Sequence, residues 1–287
     1  MDQVGIVGDI ILDVLLEMDQ FPEEDSEVIL KEEHLHLGGS AFNTAFELTA
    51  TKHHPLLLAT FGKDKEGQFI KSALNAIRMD RSFILEESTN TGKIYILLSP
   101  NGKRTMISSR SSMPIPLDYQ LYDQFTNQIS WLHISGYLLT EKEQFLRAIY
   151  AMKKAKEKSI PCSLDPGTNP VKNQTEKILE ALSYTDYLLP NREEFTLMNQ
   201  HCEFGKMIDQ VKVIIKEGAK GSTIVCSKGS LSIESQNKLS ISNSIGAGDA
   251  FNAGFIDGML TSGDLASACK NGNECAHRRL LKQTGEK

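Results

Sequence analysis

Long hydrophobic runs are missing from this chain of 287 residues. No apolar stretch is long enough to cross a bilayer, so a helical membrane protein is excluded. Met1-Asp2-Gln3 lacks a basic segment followed by an apolar core, and no secretory leader is expected. Positive charge is in deficit: 31 Lys and Arg against 37 Asp and Glu leave a net charge of −6, which speaks against a nucleic-acid surface. The basic clusters Lys153-Lys154-Ala155-Lys156 and His277-Arg278-Arg279 read as solvated helix faces. The five cysteines, Cys162, Cys202, Cys226, Cys269 and Cys275, are odd in number and scattered. No C-x-x-C pair is present, so they read as free thiols of a reducing cytoplasm rather than as a metal cage. Two nucleotide signatures are absent as well. There is no G-x-x-x-x-G-K-[ST], which removes the P-loop fold. The turn Gly8-Asp9-Ile10-Ile11-Leu12-Asp13 lacks G-x-G-x-x-G, which argues against a dinucleotide-binding oxidoreductase.

What is present is a chain long enough for one large α/β domain or two small ones. Hydrophobic residues at 40% and charged residues at 24% match an ordinary globular protein. Val4–Val7 reads as a buried strand ending at a glycine turn. Val28–Leu37 alternates toward its end like a half-exposed strand, and Leu56–Phe61 is another strand, followed by a helix over Gln68–Ile77. Lys93–Leu98 and Arg104–Ile107, separated by Pro100-Asn101-Gly102, form a hairpin pattern. The second half alternates. Strands fall at Trp131–Ser135, Pro161–Asp165, Tyr187–Leu189, Lys212–Lys216 and Ser222–Cys226. Helices fall at Glu141–Lys158, Asn173–Leu182, Arg192–Asn199, Ala247–Thr261 and Leu265–Leu281. Such alternation predicts a mainly parallel sheet with helices on both faces.

The stretch Ser242–Phe255 carries the chemistry. Gly246-Ala247-Gly248-Asp249 runs directly into a helical pattern. Helix-start amides lack partners inside the helix, and with the dipole they favour an anion. Asp249 does not fit an anion site unless it has a separate task, such as accepting a proton. As a bare motif it reads more readily as a first-turn helix acid, which is very common. Gly38-Gly39-Ser40-Ala41-Phe42-Asn43 opens a second helix; the Asn43 amide could bind a hydroxyl or simply be solvated. Asp13 is either a turn acid or a hydroxyl-binding carboxylate at the carboxyl edge of the first strand. Asn191 and Glu194 have the spacing of a capping box.

Taken together, these pieces resemble the ribokinase-like, or PfkB, family of sugar and nucleoside kinases. The resemblance rests on Gly38–Ala45 and Asn243–Phe251. Between them, in order, lie Phe61-Gly62-Lys63-Asp64 with Gly67, Thr91-Gly92, Gly102-Lys103-Arg104-Thr105, Asp165-Pro166, Asn191-Arg192-Glu193-Glu194 and Gly218-Ala219-Lys220-Gly221. It spans nearly the whole chain. It implies a three-layer αβα sandwich with a mainly parallel central sheet, carried by one domain over residues 1–287. Segments 12–37 and 92–108 would be inserted as a small β-sheet lid. By resemblance, Asp249 is the catalytic base, and Gly246, Ala247 and Gly248 form the anion hole. Asp13, Gly38, Gly39 and Asn43 bind the acceptor's hydroxyls. Asn191 and Glu194 organise Mg²⁺ and phosphates through water, Gly218 and Gly221 lie beside the nucleotide, and Lys216 faces phosphate or solvent. ATP and Mg²⁺ are the implied cofactors. The chain departs from the family at Asn243, where relatives carry an Asp that helps hold K⁺, so monovalent-cation dependence stays open.

The leading expectation is an ATP-dependent kinase acting on a hydroxymethyl group of a small sugar. A nucleoside kinase of the same family is the nearest alternative. A phosphosugar kinase would need a cationic pocket, for which Arg104 and Arg110 are candidates. A non-catalytic sugar- or nucleotide-binding protein of the same fold is the rival from another class. A homodimer through the lid is permitted by the apolar alternation of both lid segments; neither nucleic acid nor membrane is expected as a partner.

Overall fold

The computed structural model describes residues 3–99, 104–109, 115–116, 118–201, 210–226, 229–235 and 245–284. Asn243, Arg110, Cys202 and the turn Pro100-Asn101-Gly102, all singled out above, lie outside the described residues.

Nine strands form the large sheet, in the order β13-β12-β11-β10-β9-β8-β1-β4-β5. They are β1 (Gln3–Val7), β4 (His54–Gly62), β5 (Ile84–Glu87), β8 (Trp131–Ser135), β9 (Cys162–Asp165), β10 (Tyr187–Leu188), β11 (Lys212–Lys216), β12 (Gly221–Cys226) and β13 (Gly229–Glu234). All pairings from β5 to β11 are parallel; β12 and β13 close one edge antiparallel. Period-two alternation sends neighbouring residues to opposite faces. Val213 and Ile215 of β11 join one core, while Ile214 joins the other. Both faces of the central strands are covered, so β1, β4, β8 and β11 are largely apolar, as buried parallel strands require.

The helices divide accordingly. On one face lie α3 (Tyr119–Thr126), α4 (Lys142–Glu157), α6 (Thr175–Leu182) and α7 (Arg192–Met198), around Tyr122, Phe125, Phe145, Met152 and Met198. A short α5 (Thr168–Asn173) precedes α6. On the other face lie α1 (Ser40–Leu48), α2 (Lys65–Leu74), α8 (Ala247–Ser262) and α9 (Leu265–Thr284). Phe42, Ile70, Phe251, Phe255 and Ala268 fill that core. The result is the expected three-layer αβα sandwich. Phe255 is fully buried and meets Trp131 and Tyr187 edge-on, at ring centroid distances of 6.4 and 5.6 Å. Cys162, Cys269 and Cys275 are free and buried, and no described helix is long and apolar enough to cross a membrane.

A second, four-stranded sheet has the order β3-β2-β6-β7, built from β2 (Ile11–Met18), β3 (Leu30–Gly38), β6 (Lys93–Leu98) and β7 (Arg104–Ser109). Asp13 belongs to this sheet and not to the carboxyl edge of the first strand. The chain leaves β1 at Val7 and resumes extended at Ile11, where pairing with β3 and β6 sets Asp13 opposite His36 and Ile94. The apolar run beyond Asp9 is therefore a separate strand. The substitution Phe255→Ala should cost about 3–5 kcal/mol, the usual range for emptying a fully packed aromatic site, read as a lowered midpoint in urea unfolding.

Candidate active site

The carboxyl ends of neighbouring strands converge where an open α/β sheet places its ligands. Asp165 ends β9 and Lys216 ends β11. Asn191 follows β10 and bridges to Lys216. The Lys216 ammonium lies 2.8 Å from Asp165 Oδ2 and 3.3 Å from Asn252 Oδ1, and Asn252 Nδ2 donates to Asp165 Oδ2 at 2.6 Å. Burial works against the charge on Asp165, yet Lys216 and Asn252 hold its carboxyl below the ordinary carboxylate range. Burial likewise opposes the charge on Lys216, and the carboxylates of Asp165 and Glu194 raise it above the usual lysine value. The pair is ionised on both sides. His133, fully buried and bonded to the Ser163 hydroxyl at 2.8 Å, is pushed down to about 4 by burial and stays neutral.

Helix α8 begins at Gly246, whose φ of 75° is left-handed, a conformation that glycine adopts without strain. The amides of Ala247, Gly248 and Asp249 form its first turn and have no partners inside the helix. A Cβ added at Gly248 would lie 3.5 Å from Lys216 Nζ, so the buried ammonium stands beside this turn. Helix α1 faces it. Ala41, Phe42, Ala45 and Leu48 bury against the sheet, which leaves Ser40 and Asn43, three residues apart and on one side, toward α8. Ser40 Oγ donates to Asp249 Oδ1 at 2.7 Å, and Asn43 Nδ2 donates to Oδ2 at 3.1 Å. Burial, and after it the neighbouring Asp165 carboxylate, push Asp249 up to about 7 against these two hydrogen bonds and Lys216.

Asn191 and Glu194 form a complete capping box on α7. Asn191 Oδ1 accepts from the Glu194 amide and Glu194 Oε2 from the Asn191 amide, both at 2.8 Å. Thr168 donates to Glu194 Oε1 at 2.8 Å. Glu194 is nonetheless at the cavity wall, and burial, followed by Asp165, raises its carboxyl above the ordinary range. Capping thus orients this carboxylate and leaves its edge to the cavity.

One cavity of about 610 Å³ joins these groups. Asp13, Ile94, Ile96, Arg104 and Met106 of the small sheet line one end, with Gly39, Ser40 and Asn43. Asp249, Lys216, Glu194 and Asn191 line the middle, with Gly246, Ala247 and Gly248. Gly218 and Gly221 line the far end, with Asn273, Ala276 and His277 of α9. Of the residues expected in the site, Gly38 alone among the described ones stands off the wall. Its role is room: a Cβ there would lie 2.2 Å from the Asp13 carboxyl. Ser40, Asp165 and Asn252 carried no assigned role in the sequence. Asn252 could have been found, since it follows Asp249 by one helical turn. Asp165 could have been found as the polar end of an apolar strand. No group of three or more metal-ligating side chains occurs among the described residues.

The sequence pattern of the pfkB family carbohydrate kinases matches residues 1–284. This chain belongs to the pfkB family. It is 27% identical over 278 residues to the ATP-dependent ribose-1-phosphate kinase of Halopiger xanaduensis, covering 96% of this chain and 90% of that protein. Its fold is similar to that of the Methanocaldococcus jannaschii nucleoside kinase, with a TM-score of 0.76 at 22% identity, covering 96% and 90% of the two chains. It is also similar to the adenosine kinase of Sinorhizobium meliloti, with a TM-score of 0.81 at 18% identity, covering 97% and 94%. A sugar or nucleoside kinase is the activity class these relatives share.

The position of Asp249 has a consequence for stability. Its carboxyl titrates near 7 in the folded chain against 3.8 for an unperturbed aspartate. The folded state therefore holds the proton longer, and stability falls as pH rises through that window. Asp249→Asn removes this titration. It should melt above wild type at pH 8, with the difference shrinking toward pH 4; an equal difference at both pH values would contradict the assignment.

Proposed function

We propose that this kinase transfers the γ-phosphoryl group of ATP to a hydroxymethyl group of a small sugar, with Asp249 as the base. The observation that carries the reading is the grip of Ser40 and Asn43 on Asp249 at the first turn of α8. A carboxylate titrating near neutrality suits general-base work, because a large fraction of it is ionised at working pH and that fraction is still basic enough to take a proton. In the proposed step Asp249 accepts the proton of the acceptor hydroxyl as that oxygen bonds to the γ-phosphorus. The bond from phosphorus to the bridging oxygen breaks and ADP leaves. The amides of the turn Gly246, Ala247 and Gly248 meet the charge on the transferring group, and Lys216 adds a fixed positive charge beside them. Positioning and charge stabilisation account for most of such catalysis.

The residues present fit Mg²⁺. Four carboxylates, Asp13, Asp165, Glu194 and Asp249, line the cavity against Lys216 and Arg104, so phosphate would enter a cavity with an excess of acids unless a counter-cation came with it. Asp165 and Glu194 are already hydrogen-bonded and would reach the ion through water, as Mg²⁺ commonly permits. When bound with ATP, Mg²⁺ neutralises charge on the phosphates. Asp13 and Asn43, at the small-sheet end, would hold the acceptor's hydroxyls, and Gly218 and Gly221 would flank the nucleotide. The small sheet would act as a lid that keeps water from the γ-phosphate.

A second reading is an acceptor that already carries a phosphate. Arg104, whose guanidinium is lowered by burial, lines the small-sheet end of the cavity, and the Halopiger relative is named for a phosphosugar. Nucleosides stay in the panel because of the nucleoside-kinase relatives.

The test is a coupled assay with ATP and Mg²⁺ over pentoses, hexoses, sugar acids, phosphosugars and nucleosides. At least one should be phosphorylated, with kcat rising through an apparent pKa near 7, and Asp249→Asn should lower kcat about 10²–10⁴-fold with ATP binding retained. Silence across the panel would favour the binding-protein alternative. If phosphosugars are turned over and Arg104→Met raises their KM selectively, the second reading stands.

A further inference from the structure

Arg279 of α9 lies behind the anion-binding turn. Its neighbours Asn273, Ala276, His277 and Leu280 line the cavity, but Arg279 does not. It turns instead toward α1, where Nη1 lies 3.2 Å from Glu47 Oε1. Its Nε is buried and has no hydrogen-bond partner among the described residues. That edge rests against Gly246: a Cβ added there would lie 3.3 Å from Nε and 3.5 Å from Nη2. Glycine suits position 246 by its left-handed backbone, and a side chain there would also press on the guanidinium, which would have to give by a few tenths of an ångström.

Two physical points follow. First, this one side chain touches three helices that build the site. It springs from α9, abuts the start of α8, and is fixed by Glu47 of α1, the helix whose Ser40 and Asn43 hold Asp249. Second, a cation beside a helix N-terminus faces the positive end of the dipole, which is unfavourable by itself. Glu47 offsets part of that cost, and a polyanion on the other side of the turn would offset the rest. The placement is useful where a phosphoryl group passes.

We propose that Arg279 is a positioning residue: it braces Gly246 from behind, holds the anion-hole amides in register with Asp249, and adds positive potential for the transferring phosphoryl group. This rests on the kinase reading above. It concerns the γ-phosphate alone, so it should separate ATP from ADP.

The experiment compares wild type with Arg279→Met, Arg279→Lys and Glu47→Gln by calorimetric titration of ATP and of ADP with Mg²⁺, and by steady-state kinetics on the best acceptor. Arg279→Met should lower the ratio of ATP affinity to ADP affinity about fivefold and kcat about tenfold or more, with the acceptor KM within about twofold, because the lost contact acts on the moving group. Arg279→Lys should recover part of both, and Glu47→Gln should show a smaller loss in the same direction. Thermal melts identify any variant that fails to fold, and Glu47→Gln then carries the comparison, since it keeps the guanidinium but loosens its anchor. An unchanged ATP-to-ADP ratio with wild-type kcat in the folded variants overturns the proposal. Losses spread equally over ATP, ADP and acceptor overturn it too, since they would mark a general structural role. Wild type binding neither nucleotide would instead sink the kinase reading on which it rests.

Discussion

The ion pair between Asp165 and Lys216 is the constraint around which the site is arranged. It joins the ends of two parallel strands, β9 and β11, inside the protein. A buried ammonium needs a counter-charge, and a buried carboxylate needs either a partner or its proton. Lys216 can answer one carboxylate at close range, and it answers Asp165. The other two acids are left to neutral donors. Glu194 takes amide and hydroxyl hydrogens from Asn191 and Thr168, and Asp249 takes those of Ser40 and Asn43. Their carboxyls accordingly rise while that of Asp165 falls. Three acids of the same starting chemistry are divided by one lysine into a fixed anion and two protonatable groups.

This division explains how an acid can sit in a turn whose free amides favour an anion. The helix start of α8 favours negative charge through its amides, and Lys216 stands 3.5 Å from the position of a Gly248 Cβ. Near neutrality Asp249 is close to the balance between protonated and ionised forms. It would not present a full opposing charge to a phosphate in that turn, yet it remains basic enough to accept a proton. The same desolvation that makes the site costly for charge makes each remaining interaction with an anion stronger.

Much of this was legible in the sequence where the information is local. Strands with both faces buried read as continuous apolar runs, and Trp131–Ser135 and Lys212–Lys216 fall at the expected residues. The glycine-led helix starts at Gly38-Gly39 and Gly246 were visible because glycine marks close approach and left-handed backbone. Elements at the margins were not. Strand β5 is four residues with two acids, and β13 is a polar edge strand. Edge positions bury little, so the periodic signal weakens. Helix α3 carries its buried side in Tyr122 and Phe125, too few apolar residues to mark a helix.

The least legible residues are those whose meaning depends on a distant partner. Lys216 ends a strand, and at such a position a lysine is ordinarily exposed; what buries it is Asp165, 51 residues earlier. Asp13 reads locally as a turn acid or as a carboxylate at the edge of the first strand, because nothing nearby distinguishes a chain that stays with one sheet from one that changes sheets. That choice is made by pairing with β3 and β6, whose residues come later in the chain. Asn191 and Glu194 make the same point in reverse. Their capping box is local, complete and visible in the sequence, and a capping box by itself implies no ligand. It becomes part of a site only because β9 and β11 bring Asp165 and Lys216 to the same cavity wall. The local motif fixes where the carboxylate points, and the sheet order decides what it points at.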